Sequence, residues 1–373
     1  MKPCIASLLI AALLSTVTVS AVHAVDGKIV YQDADIQVIQ GKTDVLIPEF
    51  SAVCSEAFIF QYNNGHLLVS SPANRGKQAY RLSTDGGKTW RDTPPRTVYE
   101  GGSVYQYPGP DGEVITITGA VVTGKSAIKN GDTPDDFVTF NFPVFRSSDN
   151  GNTEIKETAT LHAPTVGSWL CFDHGLAGLQ DGTLLASASA RFVDDSKLRT
   201  IILRSADRGK TWKYVSTVAS GDSVDWTGPD GFAEPDLVAL PDGKLLCFMR
   251  TGGGASGSPL ALAESADNGL TWSNLRRIAD RGVWPTAVLL ENGVVAVFTG
   301  RPGNWIQFSA NDGQDWVGWN EFDASSPGCD CSHYNGMIQL GPNRLLAVYC
   351  RPTGKAGCNV ELVGTYFKVR RKN

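Results

Sequence analysis

The chain of 373 residues is poor in the side chains that hold metals: it has five histidines, eight cysteines and three methionines, with no Cys-x-x-Cys pair and no histidine cluster. Cys329-Asp330-Cys331 places two thiols together, but nothing near it completes the four ligands of a structural zinc. No metal and no cofactor is therefore expected. Basic runs are equally scarce. The net charge is -5, and the one positive cluster, Lys368 to Lys372, reads as a solvated end, which argues against nucleic acid as a partner. No stretch of about 18 apolar residues follows the N-terminal region, so membrane insertion is not expected. Gly252 to Ser258 (GGGASGS) lacks the strand-to-helix setting of a phosphate loop and carries no nucleotide reading.

What the N-terminus does have is Lys2, an apolar run from Ile5 to Leu14 and small residues ending in Val22-His23-Ala24. This is the layout of a secretory signal peptide, residues 1-24, with cleavage after Ala24. The protein is then expected to be secreted or periplasmic. Seven cysteines remain after cleavage, an odd number, so some disulfides and at least one leftover thiol are expected in that oxidising setting. Cys247, inside an apolar run, reads as a small buried hydrophobe.

Phe232 to Arg250 (FAEPDLVALPDGKLLCFMR) sets the pattern for the rest. A polar or aromatic residue opens an apolar strand, Pro241-Asp242-Gly243 turns it, and a second strand returns to an arginine. Related segments start near Glu56, Ser103, His174, Trp284 and Tyr334, with turns at Asn64-Gly65, Asp111-Gly112, Asp181-Gly182, Asn292-Gly293 and Pro342-Asn343. Asp-Gly and Asn-Gly pairs are the residues of two-residue hairpins. Six copies at this spacing predict an all-β, six-bladed β-propeller, a single domain over residues 25-373, acting as a monomer. Gly27 to Gln40 and Asn359 to Arg370 are extended segments at the two ends, suited to closing the ring by sharing one blade. Thr123 to Phe142 reads as a long loop interrupting blade two, of the kind that serves as a lid or binding loop.

A second repeat lies between these copies: Ser83 to Trp90, Ser147 to Glu154, Ser205 to Trp212, Ser265 to Trp272 and Ser309 to Trp316, with the spacing S-x-D-x-G-x-T-W. The aspartate bonds the backbone of its turn, the glycine takes a left-handed conformation, and the tryptophan covers the hairpin. The copies at 147 and 309 are degenerate, losing Trp or displacing Asp. This pattern resembles the Asp-box, or BNR repeat, of the sialidase superfamily, over nearly all of the mature chain.

The resemblance implies a glycoside hydrolase acting on an acidic sugar, with a glycan as partner. Sialidases hold the sugar's carboxylate with three arginines, attack with a tyrosine paired to a glutamate, and use an aspartate as acid/base. Carried over residue by residue, Glu234 followed by Arg250 resembles the family's glutamate and second arginine, Arg301 the third arginine, and Tyr334 the nucleophile. A neutral nucleophile avoids repulsion from an anionic substrate, and the glutamate accepts its proton. The family's first-blade Phe-Arg-Ile-Pro has Ser55-Glu56-Ala57-Phe58 in its place, and no aspartate follows Arg75 before the first Asp-box.

Several groups are placed to substitute. Glu56 and Glu234 could form a two-carboxylate glycosidase pair across the pocket. Asp173 or His174 could donate the proton that the missing aspartate would have supplied. Alternatively, His174 or Tyr334 as base, with Arg250 or Arg301 neutralising a uronate, would make a polysaccharide lyase. A propeller that only binds glycans is the reading outside catalysis. Arg75 and Arg191, at the ends of returning strands, and Trp284, able to stack on a sugar, complete the substrate-binding candidates.

Overall fold

Four turns with the same hydrogen bonds set the geometry of the chain. Gly65 N-H donates to Tyr62 O and Tyr62 N-H to His66 O, and the same pair of bonds recurs at Leu179-Thr183, Leu240-Lys244 and Leu290-Val294. Each loop is thus three residues long, one more than the Asn-Gly and Asp-Gly pairs predict. The reason lies in the backbone: Gly65, Gly182, Gly243 and Gly293 have φ of 80, 82, 88 and 79°, while the residues before them stay at negative φ. Only the glycine is left-handed, which gives a type I turn followed by a glycine bulge.

The computed structural model describes residues 27–372 apart from 52–55, 74–76, 94–103, 124–136, 254–257, 325–333 and 354–358. Arg75, Cys54, Cys329, Cys331 and Cys358 lie outside the described residues. Cys171, Cys247 and Cys350 are free thiols, and Cys247 is fully buried as expected.

The strands form five sheets. Three are four-stranded: Phe58–Gln61 to Arg91–Asp92, Ala233–Ala239 to Ser273–Ala279, and Val283–Leu289 to Val317–Asp323. A nine-stranded sheet contains two antiparallel runs, Val104–Pro108 to Ile155–Pro164 and Val166–Gly178 to Thr211–Ser220. Their outer strands pair in parallel through Thr160–His162 and Thr211–Lys213. Part of the expected loop at 123–142 belongs to this sheet, because Phe137–Ser147 pairs along its length with Ile155–Pro164.

The fifth sheet joins the ends of the chain. Ile36–Ser51 pairs with Asn359–Arg371, and Lys28–Gln32 folds back outside it. The extended segment expected over 27–40 is therefore two strands, and the one that joins the C-terminal strand starts at Ile36.

The first strand of each run packs against the next. Val166–Gly178 touches Val104–Pro108 and Ala233–Ala239, Ala233–Ala239 touches Val283–Leu289, that strand touches Gly336–Gly341, and the last touches Phe58–Gln61. All six line one central cavity of about 220 Å³, to which Phe60, Gln106, His174, Asp236, Thr286 and Met337 contribute. The apolar core lies between the sheets, in clusters around Phe172 and Trp212, Phe298 and Phe308, and Leu346 and Leu362.

The Asp-box turns are closed by their own side chains. At the third copy Ser205 Oγ accepts from Gly209 N-H at 2.7 Å. Asp207 Oδ1 accepts from Thr211 N-H at 2.8 Å, and its Oδ2 accepts from Thr211 Oγ1 at 2.6 Å. Burial alone would raise the Asp207 carboxyl, but the Thr211 bonds outweigh it and hold it below its ordinary value. Trp212 is fully buried and donates Nε1-H to Gly209 O.

The copy at 147 keeps this network without its tryptophan. At 309, Asn311 takes the aspartate's place and donates Nδ2-H to Asp315. Asp207→Ala should cost about 1–2 kcal/mol, because the freed N-H groups lie at the surface where water replaces part of the loss. The check is the urea midpoint, which should fall at unchanged m-value.

Candidate active site

Glu234 opens the strand Ala233–Ala239 one residue before Pro235, and Trp284 holds the same position before Pro285. Both have left-handed backbones, with φ of 49 and 50°, and Arg301 at 39° is a third such residue. Each such conformation costs about 1–3 kcal/mol in a residue with a Cβ and persists where the surroundings enforce it. Here the strand register slips between Ala233 and Asp236 and between Val283 and Thr286. These bulges bring Glu234 and Trp284 together at the mouth of the central cavity.

Glu234 is the hub of the cluster. Tyr334 donates its hydroxyl to Glu234 Oε1 at 2.7 Å, and Trp284 N-H donates to Oε2 at 3.1 Å. Arg250 Nε lies 2.8 Å from the same Oε2. That last contact is a charge pair rather than an aligned hydrogen bond, since the Nε-H finds no acceptor in line. Arg250 is 7 % exposed and also donates Nη1-H to Asp230 Oδ2 at 3.0 Å and Gly252 O at 2.8 Å. Burying these charges is tolerable only because each has a partner.

Tyr334 is held on its ring as well as its hydroxyl. The Trp284 indole stacks on it with centroids 3.9 Å apart and planes 14° apart, and the Arg301 guanidinium sits 5.7 Å from its centroid. Burial and the Glu234 charge push the Tyr334 hydroxyl well above its ordinary value of 10, against the opposing pull of Arg250 and Arg301. The phenol is therefore protonated at rest, and any attack by its oxygen must pass the proton to Glu234 in the same step. Among the described residues no carboxylate lies within ion-pair distance of Arg301.

Asp173 lies on Val166–Gly178, where the register slips between Phe172 and Leu176. Its Oδ2 accepts from Ser189 Oγ at 2.7 Å and Ser189 N-H at 2.9 Å, and Ser189 Oγ in turn accepts from Glu234 N-H at 3.0 Å. Burial, aided by the Glu234 charge and opposed by Ser189 and His174, raises the Asp173 carboxyl from 3.8 to about 7. Glu56 reaches the cluster through its backbone, which bridges Tyr334, with Ala57 N-H donating to Tyr334 O at 3.0 Å. It thus adjoins the Tyr334 segment. Burial first, and then the charges of Asp173, Glu56 and Glu234, raise the Cys171 thiol, which lies two residues before Asp173 on the same strand.

His174 belongs to the cavity beneath. Its ring lies tilted by 36° against that of Trp284, with centroids 4.6 Å apart, and its Nδ1 lies 3.5 Å from Asp236 Oδ2. The adjoining Gly175 is required by space, since a Cβ there would meet Ser187 Oγ at 2.2 Å and Leu237 N at 2.7 Å. Arg191 stands apart from the cluster, opposite Trp169 on the strand pair that carries Asp173. Arg351 is committed to Glu361 at 2.6 Å.

Sequence reasoning missed Ser189 and Asp230, which hold Asp173 and Arg250, and Asn335, whose Nδ2-H donates to Trp284 O at 3.1 Å. The recurrent X-Pro at Glu234-Pro235 and Trp284-Pro285 was the available signal for the bulges.

The profile of the BNR repeat-like domain matches residues 125–318, more than half of the chain. The chain belongs to the BNR repeat-like domain family. Curated proteins gave no match to it. Among solved structures, this BNR repeat-like chain is similar to a protein of unknown function from Dyadobacter fermentans, with a TM-score of 0.68 and 20 % identity over 89 % of this chain and 99 % of that one. It is also similar to the Penicillium chrysogenum alpha-L-arabinanase complexed with arabinobiose, at 0.61 and 17 % over 88 % and 98 %. A third similarity is to the Trypanosoma rangeli sialidase, at 0.54 and 16 % over 85 % of this chain and 55 % of that one. The all-β, sialidase-like fold of the BNR repeat-like chain follows from these likenesses. Among the described residues no helix is long and apolar enough to cross a membrane.

Proposed function

We propose that this protein is a sialidase-like glycoside hydrolase that acts on a sugar carrying an anionic group, exported by its N-terminal segment, with its sheets arranged as the six blades of one propeller. The observation that carries the reading is the 2.7 Å hydrogen bond from Tyr334 to Glu234, flanked by buried Arg250 and by Arg301 over the Tyr334 ring. Tyr334 is the nucleophile and Glu234 takes its proton. Arg301, without a carboxylate partner among the described residues, receives the anionic group together with Arg250. Asp173, half protonated near neutrality, supplies the proton to the leaving oxygen.

The buried Glu56 at the position of the family's first arginine favours a second reading, hydrolysis of a neutral glycoside, in which Glu56 or Asp173 pairs with Glu234. The Penicillium arabinanase likeness points the same way. The deciding experiment is product analysis of purified protein with sialylated, uronate-containing and neutral arabinose-containing glycans. Released acidic monosaccharide supports the first reading, and released neutral sugar supports the second. An unsaturated uronate absorbing in the ultraviolet would mean elimination, and binding without product would mean a glycan-binding protein.

A further inference from the structure

Val166–Gly178 is 13 residues long, while the other first strands run from four to seven. The extra length precedes Asp173, beyond the level at which Ala233–Ala239 begins. Ala120–Thr123 pairs with it on one side and Leu184–Phe192 on the other, so a three-stranded wall stands over the site.

The alternation along this wall is clean. Leu170 and Phe172 are fully buried in the core, which puts Trp169, Cys171 and Asp173 on the opposite face, the one that carries the Ser189 and Glu234 contacts. Trp169 is 38 % exposed, and Arg191 is its direct cross-strand partner, so the two side chains share that face. The four steps from Trp169 to Asp173 span roughly 13 Å of strand.

Arg191 has an Nε buried without an acceptor, and no carboxylate lies within ion-pair distance of it among the described residues. A half-buried guanidinium without a counter-charge, beside an exposed indole, is an arrangement that a bound anion would complete. We propose that Trp169 and Arg191 form an outer subsite for a second sugar residue, its ring on the indole and its carboxylate or sulfate on the guanidinium. The preferred ligand is then an acidic oligosaccharide with anionic groups on successive residues, rather than a single terminal acidic sugar. This rests on the acidic-sugar reading for its orientation and not for its existence.

The test uses titration calorimetry with the whole mature protein carrying Tyr334→Phe, against a trimer of α2,8-linked sialic acid, trigalacturonate and the corresponding monomers, so that binding is read without turnover, while product is followed in parallel with the unsubstituted protein. The Tyr334→Phe protein should bind one of the trimers at least roughly tenfold more tightly than its monomer, and adding Arg191→Ala should bring that ratio toward one. Trp169→Ala should also reduce the ratio, and Trp169→Phe should restore most of it. Neither trimer exceeding its monomer, or a preference that survives Arg191→Ala, would overturn the subsite. Failure of the hydrolase reading alone would appear as trimer preference without product. Failure of the subsite alone would appear as product formation with equal affinity for trimer and monomer.

Discussion

Tyr334→Phe should abolish turnover, lowering kcat by roughly 10³-fold or more while leaving the fold and ligand affinity near those of the wild type. The hydroxyl is the only atom removed. The ring keeps its stack on Trp284 at 3.9 Å and the Arg301 cation above it. Glu234 keeps the Trp284 N-H and the Arg250 pair, so it is not left as an isolated buried charge. A tyrosine that merely lined the cavity would give a variant with nearly full activity, and that outcome would remove the nucleophile assignment. Burst kinetics separate the roles further: if Tyr334 forms a covalent intermediate, the wild type shows a pre-steady-state burst with a fast leaving group, and the phenylalanine variant shows none.

Asp173→Asn should make the protein more stable at pH 8 and less active at every pH. The carboxyl is 4 % exposed, and its pKa is raised from 3.8 to about 7, burial being the main cause. Between those values the folded state holds a proton that the unfolded chain has lost. The stability that Asp173 contributes is therefore fully present below about pH 4 and is lost as pH rises toward 7. A shift of about three units corresponds to at most about 4 kcal/mol. Asparagine can still accept both Ser189 bonds through its single oxygen, because both now end on Oδ2, and it never ionises.

Thermal unfolding from pH 4 to 8 should thus fall with pH in the wild type relative to the variant, and level above 7. The activity arm distinguishes function from structure. If Asp173 is the general acid, wild-type activity declines as pH rises through about 7 and the variant loses both the activity and that limb. A variant that is stabilised and fully active would show the carboxyl to be structural only.

How much of this was legible beforehand depended on the range of the interactions involved. The hairpin turns, the Asp-box networks and the extended character of the two chain ends rest on local rules, namely glycine at positive φ, aspartate within four residues of its donors, and alternation along strands. Those rules are written in consecutive residues such as Ser205 to Trp212. Even there, four of the turns came out one residue longer than the dipeptides implied, since Asn64, Asp181, Asp242 and Asn292 stay at negative φ.

The grouping of Glu234, Tyr334 and Arg250 was readable through the likeness to sialidases. The detail around it was not. Glu234 and Trp284 reach each other only because bulges rotate both out of strand register, and Asp173 becomes a neutral-range acid only because distant strands exclude water from it. His174 carries the chemistry of a catalyst and sits next to Asp173, yet the same bulge turns it down into the cavity against Asp236. Trp169 and Arg191 lie 22 positions apart, and only strand pairing sets them side by side. Consecutive residues set the repeating local units and most of the chemical groups at the mouth. The tertiary structure decided which of those groups meet and what protonation each adopts, because contact across strands and burial from water are properties of the assembled sheets and not of neighbouring residues.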